Sequence, residues 1–130
     1  MTEELLFLEE QGVDHALIER VEDFRKEYPV SEAARDRVTK PSIPFYGKEI
    51  LEMAAAALLQ GANLLLSGPK ATGKNILAEN LAWMFGRPSY NISFNVNTDS
   101  SSLIGTDTYR DNEVQLRKGS VYRCAEEGGF

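Results

Sequence analysis

Gly68-Pro69-Lys70-Ala71-Thr72-Gly73-Lys74-Asn75 sets two glycines ahead of a lysine at a spacing that can hold a polyphosphate. The first seven positions fit the P-loop pattern G-x-x-x-x-G-K-[ST]; the eighth carries Asn75 in place of a hydroxyl. Glycine lets the backbone enter conformations that a β-carbon forbids, so consecutive N–H groups can turn inward around an anion. A helix starting after Gly73 adds unpaired N–H groups and the positive end of its dipole. Lys74 supplies a full charge for the β- and γ-phosphates, Thr72 a possible further donor, and Pro69, Lys70, Ala71 and Ile76 complete the expected contact stretch. In the pattern the missing hydroxyl coordinates Mg²⁺. Asn75 offers an amide oxygen on a longer side chain, so it is the candidate Mg²⁺ ligand, and hydrolysis is more threatened than binding. The plainer reading is a strand, a Gly-rich turn and a helix with a surface lysine.

The flanking elements favour the functional reading. Leu64-Leu65-Leu66 reads as a strand into the loop, and Ile76, Leu77, Leu81 and Met84 as the apolar stripe of a helix leaving it. Before them, Gly47 to Gln60 predicts a helix with Ile50, Met53, Ala54, Ala57 and Leu58 on its buried face, closed at Gly61. The segment 39–46, TKPSIPFY, has two prolines and reads as a linker. Residues 1–40 predict a small helical appendage. A helix over 2–11 stops at Gly12, a second over 14–28 has Asp14 as N-cap and Leu17, Val21, Phe24 and Tyr28 on one face, and a third covers Glu32 to Val38.

After Gly86-Arg87-Pro88 the run Ser89–Val96 alternates apolar Tyr90, Ile92, Phe94 and Val96 with polar residues, which is strand periodicity. A β-hairpin is expected around Asp111-Asn112, with arms 107–110 and 113–116. A last helix is expected from Ser120, as N-cap, to Glu127.

The chain of 130 residues is 42% hydrophobic, enough for a core. Its net charge of −6 is concentrated at the start: residues 1–40 hold eleven Asp/Glu against six Lys/Arg. An acidic chain is a poor nucleic-acid binder, and Arg117, Lys118 and Arg123, flanked by glutamates, read as a solvated mixed-charge face. No apolar run approaches the roughly 18 residues of a membrane span, and the acidic N-terminus is no secretory signal; a cytoplasmic location is the default. Cys124 is the only cysteine and reads as a small packing residue, since His15 is too remote in sequence to pair with it and itself reads as a surface histidine. Trp83 reads as a core or interface residue.

In motif order, residues 41 to 130 resemble the AAA+ ATPases, and within them the MoxR and dynein-related (midasin-like) branch. Ile43-Pro44-Phe45-Tyr46-Gly47 occupies the place of a lead-in segment whose glycine lies near the adenine, so the resemblance implies Tyr46 and Gly47 as nucleotide contacts. Asn97 to Gly105 is similar to the polar run ending in a Leu-x-Gly step; the hairpin and Gly119 to Gly129 follow in family order, with Phe130 at the start of the Walker B strand. The Walker B acids, sensor, arginine finger and helical lid of that family lie past position 130, so the 130 residues alone are expected not to hydrolyse ATP. No catalytic residue is assigned within them.

The fold expected is α/β: a P-loop NTPase-type parallel sheet, with Leu64–Ser67 and Tyr90–Phe94 as strands, flanked by helices, an incomplete AAA+ core (41–130) behind an N-terminal helical segment (1–40). The resemblance implies ATP or ADP with Mg²⁺ as ligands, a homo-oligomeric ring in the full-length protein, and ATP-driven remodelling of a protein partner of unknown identity. The alternatives are a regulatory module that binds nucleotide without hydrolysis, and another P-loop enzyme such as a small kinase. An incomplete sheet would also leave an edge open to a second copy.

Overall fold

A computed structural model describes residues 2–130. Helix α1 (Glu3–Glu10) and α2 (His15–Glu27) are followed by a 3₁₀ helix (Glu32–Arg37), then α3 (Lys48–Leu59) and α4 (Lys74–Met84). A short α5 (Ser100–Leu103), strands β1 (Gly105–Arg110) and β2 (Glu113–Lys118), and α6 (Ser120–Glu127) complete the described chain. The third expected helix is thus a 3₁₀ segment that ends at Arg37.

Helices α1 to α4 share one core. Leu5, Leu8, Val13, Ile18 and Val21 from the first two pack with Leu51, Ala54 and Ala55 of α3 and with Leu77, Leu81, Met84 and Phe85 of the α4 region. The helix starts are chemically defined: the Asp14 carboxylate accepts from the N–H groups of Ala16 and Leu17, capping α2 as its position predicted. The phase of α3 differs from the expectation. Ile50 and Met53 are 51% and 74% exposed, whereas Leu51 is fully buried. An alanine-rich helix has apolar residues around most of its circumference, so the neighbouring α2 decides which stripe is covered. On α2, Ile18 and Val21 are buried and Phe24 is half-buried, while Tyr28 is exposed. Trp83 is half-buried, its ring stacked on Phe7 of α1 with centroids 6.2 Å apart.

Two guanidiniums tie the helices together. Arg25 Nη1 donates to the carbonyls of Trp83 and Met84, at the C-terminal end of α4, where a cation also meets the negative end of the helix dipole. Its Nη2 lies 3.3 Å from the Glu4 carboxylate of α1. Arg87, 6% exposed, donates to the carbonyls of Tyr28, Glu127 and Gly128, so it joins the end of α2 to the end of α6.

Burial opposes ionisation of Glu4, but hydrogen bonds to its carboxylate and the Arg25 charge outweigh it and hold its pKa below the usual range. A depressed carboxylate pKa stabilises the fold above the unfolded-state pKa, and that contribution is lost as pH falls through the folded-state pKa. Glu4→Gln is therefore expected to cost less than about 1 kcal/mol near neutrality and nothing in strong acid. Urea denaturation of both proteins at the two pH values measures this.

Among the described residues the parallel sheet expected from the strand patterns is not present. The one sheet among the described residues is the antiparallel β1–β2 hairpin, paired from Gly105↔Lys118 to Arg110↔Glu113. Its turn residues Asp111 and Asn112 both sit in the left-handed region, with φ of 53° and 63°, as a tight two-residue hairpin requires. The stretches 63–67 and 90–94 are not strands. A strand needs a ladder partner, and among the described residues no backbone hydrogen bond joins 63–67 to any other segment. Only Tyr90 N–H to Phe130 O, at 2.8 Å, and Phe130 N–H to Pro88 O, at 2.8 Å, start such a pairing.

Helix α6 begins one residue away from the expected arrangement: Gly119, not Ser120, is the N-cap. A β-carbon on Gly119 would lie 2.3 Å from the Leu103 carbonyl oxygen, so only glycine permits this close approach. Cys124 is half-buried on α6, and burial pushes its thiol pKa up, away from thiolate chemistry. Among the described residues no helix is long and apolar enough to cross a membrane.

Candidate functional site

The loop 68–73 delivers the chain into α4 through Gly73, whose φ of 86° is left-handed and favours glycine. Ala71 also has a positive φ, 59°, so the loop curls tightly before the helix starts. The Thr72 hydroxyl donates to Pro69 O at 2.9 Å and fixes that curl. The N–H groups of Lys74, Asn75 and Ile76, in the first turn of α4, have no intrahelical acceptor, and no side chain caps them. Lys74 is the first helical residue, and its Nζ lies 2.5 Å from Gly68 O and 2.8 Å from Pro69 O. The ammonium is thus folded over the loop, held by neutral carbonyls that a phosphate would outcompete.

Beside this loop lies a cavity of about 350 Å³ lined by Phe45, Ser67, Gly68, Thr72, Gly73, Lys74 and apolar neighbours, with no acid in its walls. Among the described residues its lining holds one cation, Lys74, and no carboxylate, and Phe45, Ile50, Leu65, Leu66 and Leu77 give it apolar walls.

The lead-in segment is held in place by two side-chain amides that the sequence patterns did not single out. Asn80 of α4, 1% exposed, accepts from Phe45 N–H at 3.2 Å and donates to Ile43 O at 2.9 Å and Ile76 O at 2.8 Å. From the other side, Gln11 at the end of α1 donates to Phe45 O at 2.9 Å and accepts from Gly47 N–H at 3.0 Å. A buried asparagine within the apolar stripe Leu77, Leu81, Met84 was a readable anomaly; the role of Gln11 depends on a contact across 34 residues.

Of the expected contact residues, Gly68, Pro69, Thr72, Gly73 and Lys74 gather around the cavity, while Lys70 and Ala71 are exposed on the loop. Ile76 is half-buried, and Tyr46 is 76% exposed. Gly47 lies behind the cavity wall, with the Phe45 ring packed against it. Asn75 lines a different space, a larger cleft of about 640 Å³ bounded by Leu64, Leu66, Tyr90 and Phe130. The candidate Mg²⁺ ligand therefore does not line the cavity beside the loop. Among the described residues no group of three His, Cys, Asp or Glu side chains is placed to hold a metal.

The chain is 30% identical over 109 residues to the uncharacterized protein YojN of Bacillus subtilis, an alignment covering 81% of this chain and 36% of that protein. It is 36% identical over 80 residues to the uncharacterized protein SSP1341 of Staphylococcus saprophyticus, covering 57% of this chain and 30% of the relative. A third relative, the uncharacterized protein SERP0979 of Staphylococcus epidermidis, is 32% identical over 84 residues, covering 61% and 32%. The chain spans about a third of the length of these relatives. No solved structure matches it significantly. Residues 63–130, just over half of the chain and including the whole phosphate loop, match the AAA domain (dynein-related subfamily), and the chain belongs to that family of nucleotide-binding, ATPase-type domains.

Proposed function

We propose that the chain is the ATP-binding part of an AAA+ ATPase of the MoxR or dynein-related kind, which couples ATP hydrolysis to remodelling of a protein partner. The observation that carries this is the acid-free cavity lined by Gly68, Thr72, Gly73 and Lys74, at the end of α4 whose first N–H groups no side chain caps. Lys74 Nζ would exchange its two carbonyl partners for phosphate oxygens, and the α4 N–H groups would hold the remaining charge. Phe45 shields one side from water. Bound ATP would bring Mg²⁺, whose role is to neutralise charge on the phosphates; Asn75 is the nearest amide for it on α4 but lines the neighbouring cleft.

In this proposal residues 1–40 are an N-terminal helical segment and 41–130 the first part of the ATPase domain. The extended stretches 63–67 and 90–94 join a parallel sheet in the whole protein, which works as a homo-oligomeric ring in the cytoplasm. A second reading, nucleotide binding without turnover, is favoured by one specific feature: Asn75 stands where the loop pattern has a Mg²⁺-coordinating hydroxyl.

Titration of the chain with ATP and ADP in Mg²⁺, combined with phosphate-release assays on the chain and on a full-length relative, tests both. Binding by the chain with turnover by the relative is the expected result. Binding without turnover by either leaves the second reading, and absence of binding overturns both.

A further inference from the structure

At the base of the hairpin, where Gly119 passes close to the Leu103 carbonyl, lies a cavity of about 420 Å³. It shares no lining residue with the cavity beside the phosphate loop. Four cations from three elements line it: Arg37 at the end of the 3₁₀ helix, Arg117 and Lys118 on β2, and Arg123 on α6. Among the described residues its lining holds no Asp or Glu. The chain as a whole carries a net charge of −6, so this gathering of positive charge is made by the fold and not by composition.

The glutamates that flank these residues in sequence are directed elsewhere in space. Glu127 accepts from the Ser31 hydroxyl at 2.6 Å, Glu113 stands opposite Arg110 at the far end of the hairpin, and Glu126 engages Lys118 at 2.8 Å. Lys118 is thus already matched. The Arg37 guanidinium lies over the Tyr90 ring, 4.4 Å from its centroid, a contact that holds the side chain without consuming its N–H edges. Among the described residues no carboxylate forms an ion pair with Arg37, Arg117 or Arg123. Three like charges around one space repel, and an anion between them would relieve that cost.

The number of donors and charges selects the anion. A guanidinium presents its N–H groups as a planar fork that pairs bidentately with phosphate or carboxylate. A carboxylate brings a single negative charge, whereas a phosphate monoester brings nearly two, with three acceptor oxygens. The second is the better match to three guanidiniums, with the hydroxyls of Thr106 and Ser120 in the same lining. The cavity is larger than a phosphate group alone requires, which leaves room for the molecule that carries it.

We infer that this cleft is an anion site in its own right, which binds a phosphate monoester through Arg37, Arg117 and Arg123. The monoester belongs either to a small phosphorylated molecule or to a phosphorylated side chain of a protein, and its chemistry at the cleft is the same.

The experiment is calorimetric titration of the whole chain, at one fixed ionic strength, with glycerol 3-phosphate, a phosphoserine peptide, the same peptide unphosphorylated, and malonate. The proteins are wild type, Lys74→Ala, Arg37→Gln, Arg117→Gln, Arg123→Gln and Arg110→Gln, with thermal melts of each to show that it is folded. Arg110 is on the same hairpin but does not line the cleft, so its variant reports the effect of net charge alone. Phosphate binding is expected to persist in Lys74→Ala and Arg110→Gln, and to weaken about tenfold in each of the three cleft variants. Glycerol 3-phosphate binding as tightly as the phosphopeptide would identify a small molecule as the source, and binding of the phosphopeptide alone would identify a protein; both support the site. Malonate or the unphosphorylated peptide binding as tightly as the monoesters, an equal loss in Arg110→Gln, loss of binding in Lys74→Ala, or no binding of either monoester would overturn it. None of these results bears on whether the Lys74 loop binds ATP, so the nucleotide proposal stands or falls separately.

Discussion

Lys74→Ala is expected to abolish detectable ATP and ADP binding, a loss of at least about a hundredfold, with the melting temperature almost unchanged. The two halves of this expectation come from the same geometry. Lys74 Nζ touches only the carbonyls of Gly68 and Pro69 on an exposed loop, so removing it leaves no buried group unpaired, and stability should move by no more than about 0.5 kcal/mol. For binding, the side chain is the one cation among the described residues that line the cavity. Lys74→Arg should rescue poorly, because a planar fork cannot replace a compact ammonium folded over its own loop. Titration calorimetry beside thermal melts measures both effects. Unchanged affinity in Lys74→Ala would remove the loop from any account of ligand binding.

That prediction was available from the sequence, because a phosphate loop is a local device. Gly73 has to be glycine for its left-handed backbone, and Lys74 has to follow where the helix starts. The hairpin was legible for the same reason, since Asp111 and Asn112 tolerate the conformations its turn requires. Longer-range features were not. The apolar pattern of α3 admits more than one buried stripe, and the choice of Leu51 over Met53 belongs to its neighbours. The alternation in 89–96 marks a chain suited to a sheet, but pairing depends on partners: Phe94 and Val96 are 70% and 99% exposed here. The joining of α1 and α2 to the core around α4 also arises from side chains far apart in sequence, Arg25 with Met84 and Gln11 with Phe45.

The anomaly that the helical pattern did contain, Asn80, carries the other large effect. Its amide serves three backbone groups at once, two of them on the lead-in segment and one on its own helix. Asn80→Ala would leave Phe45 N–H and Ile43 O unpaired beside a buried space, and a cost of about 3 kcal/mol is expected. Asn80→Asp should be at least as damaging. It keeps an acceptor for Phe45 N–H but turns a carboxylate oxygen toward the carbonyls of Ile43 and Ile76 in a site only 1% exposed. Urea denaturation orders the three proteins, and an Asp variant as stable as wild type would show that the amide donor is not what holds the segment. The same change should reach the ligand: with Phe45 released from α4, the apolar wall of the phosphate cavity loses its anchor. ATP affinity should therefore fall in Asn80→Ala even at temperatures where the protein is fully folded, while tripolyphosphate, which needs only the loop and Lys74, should bind nearly as before.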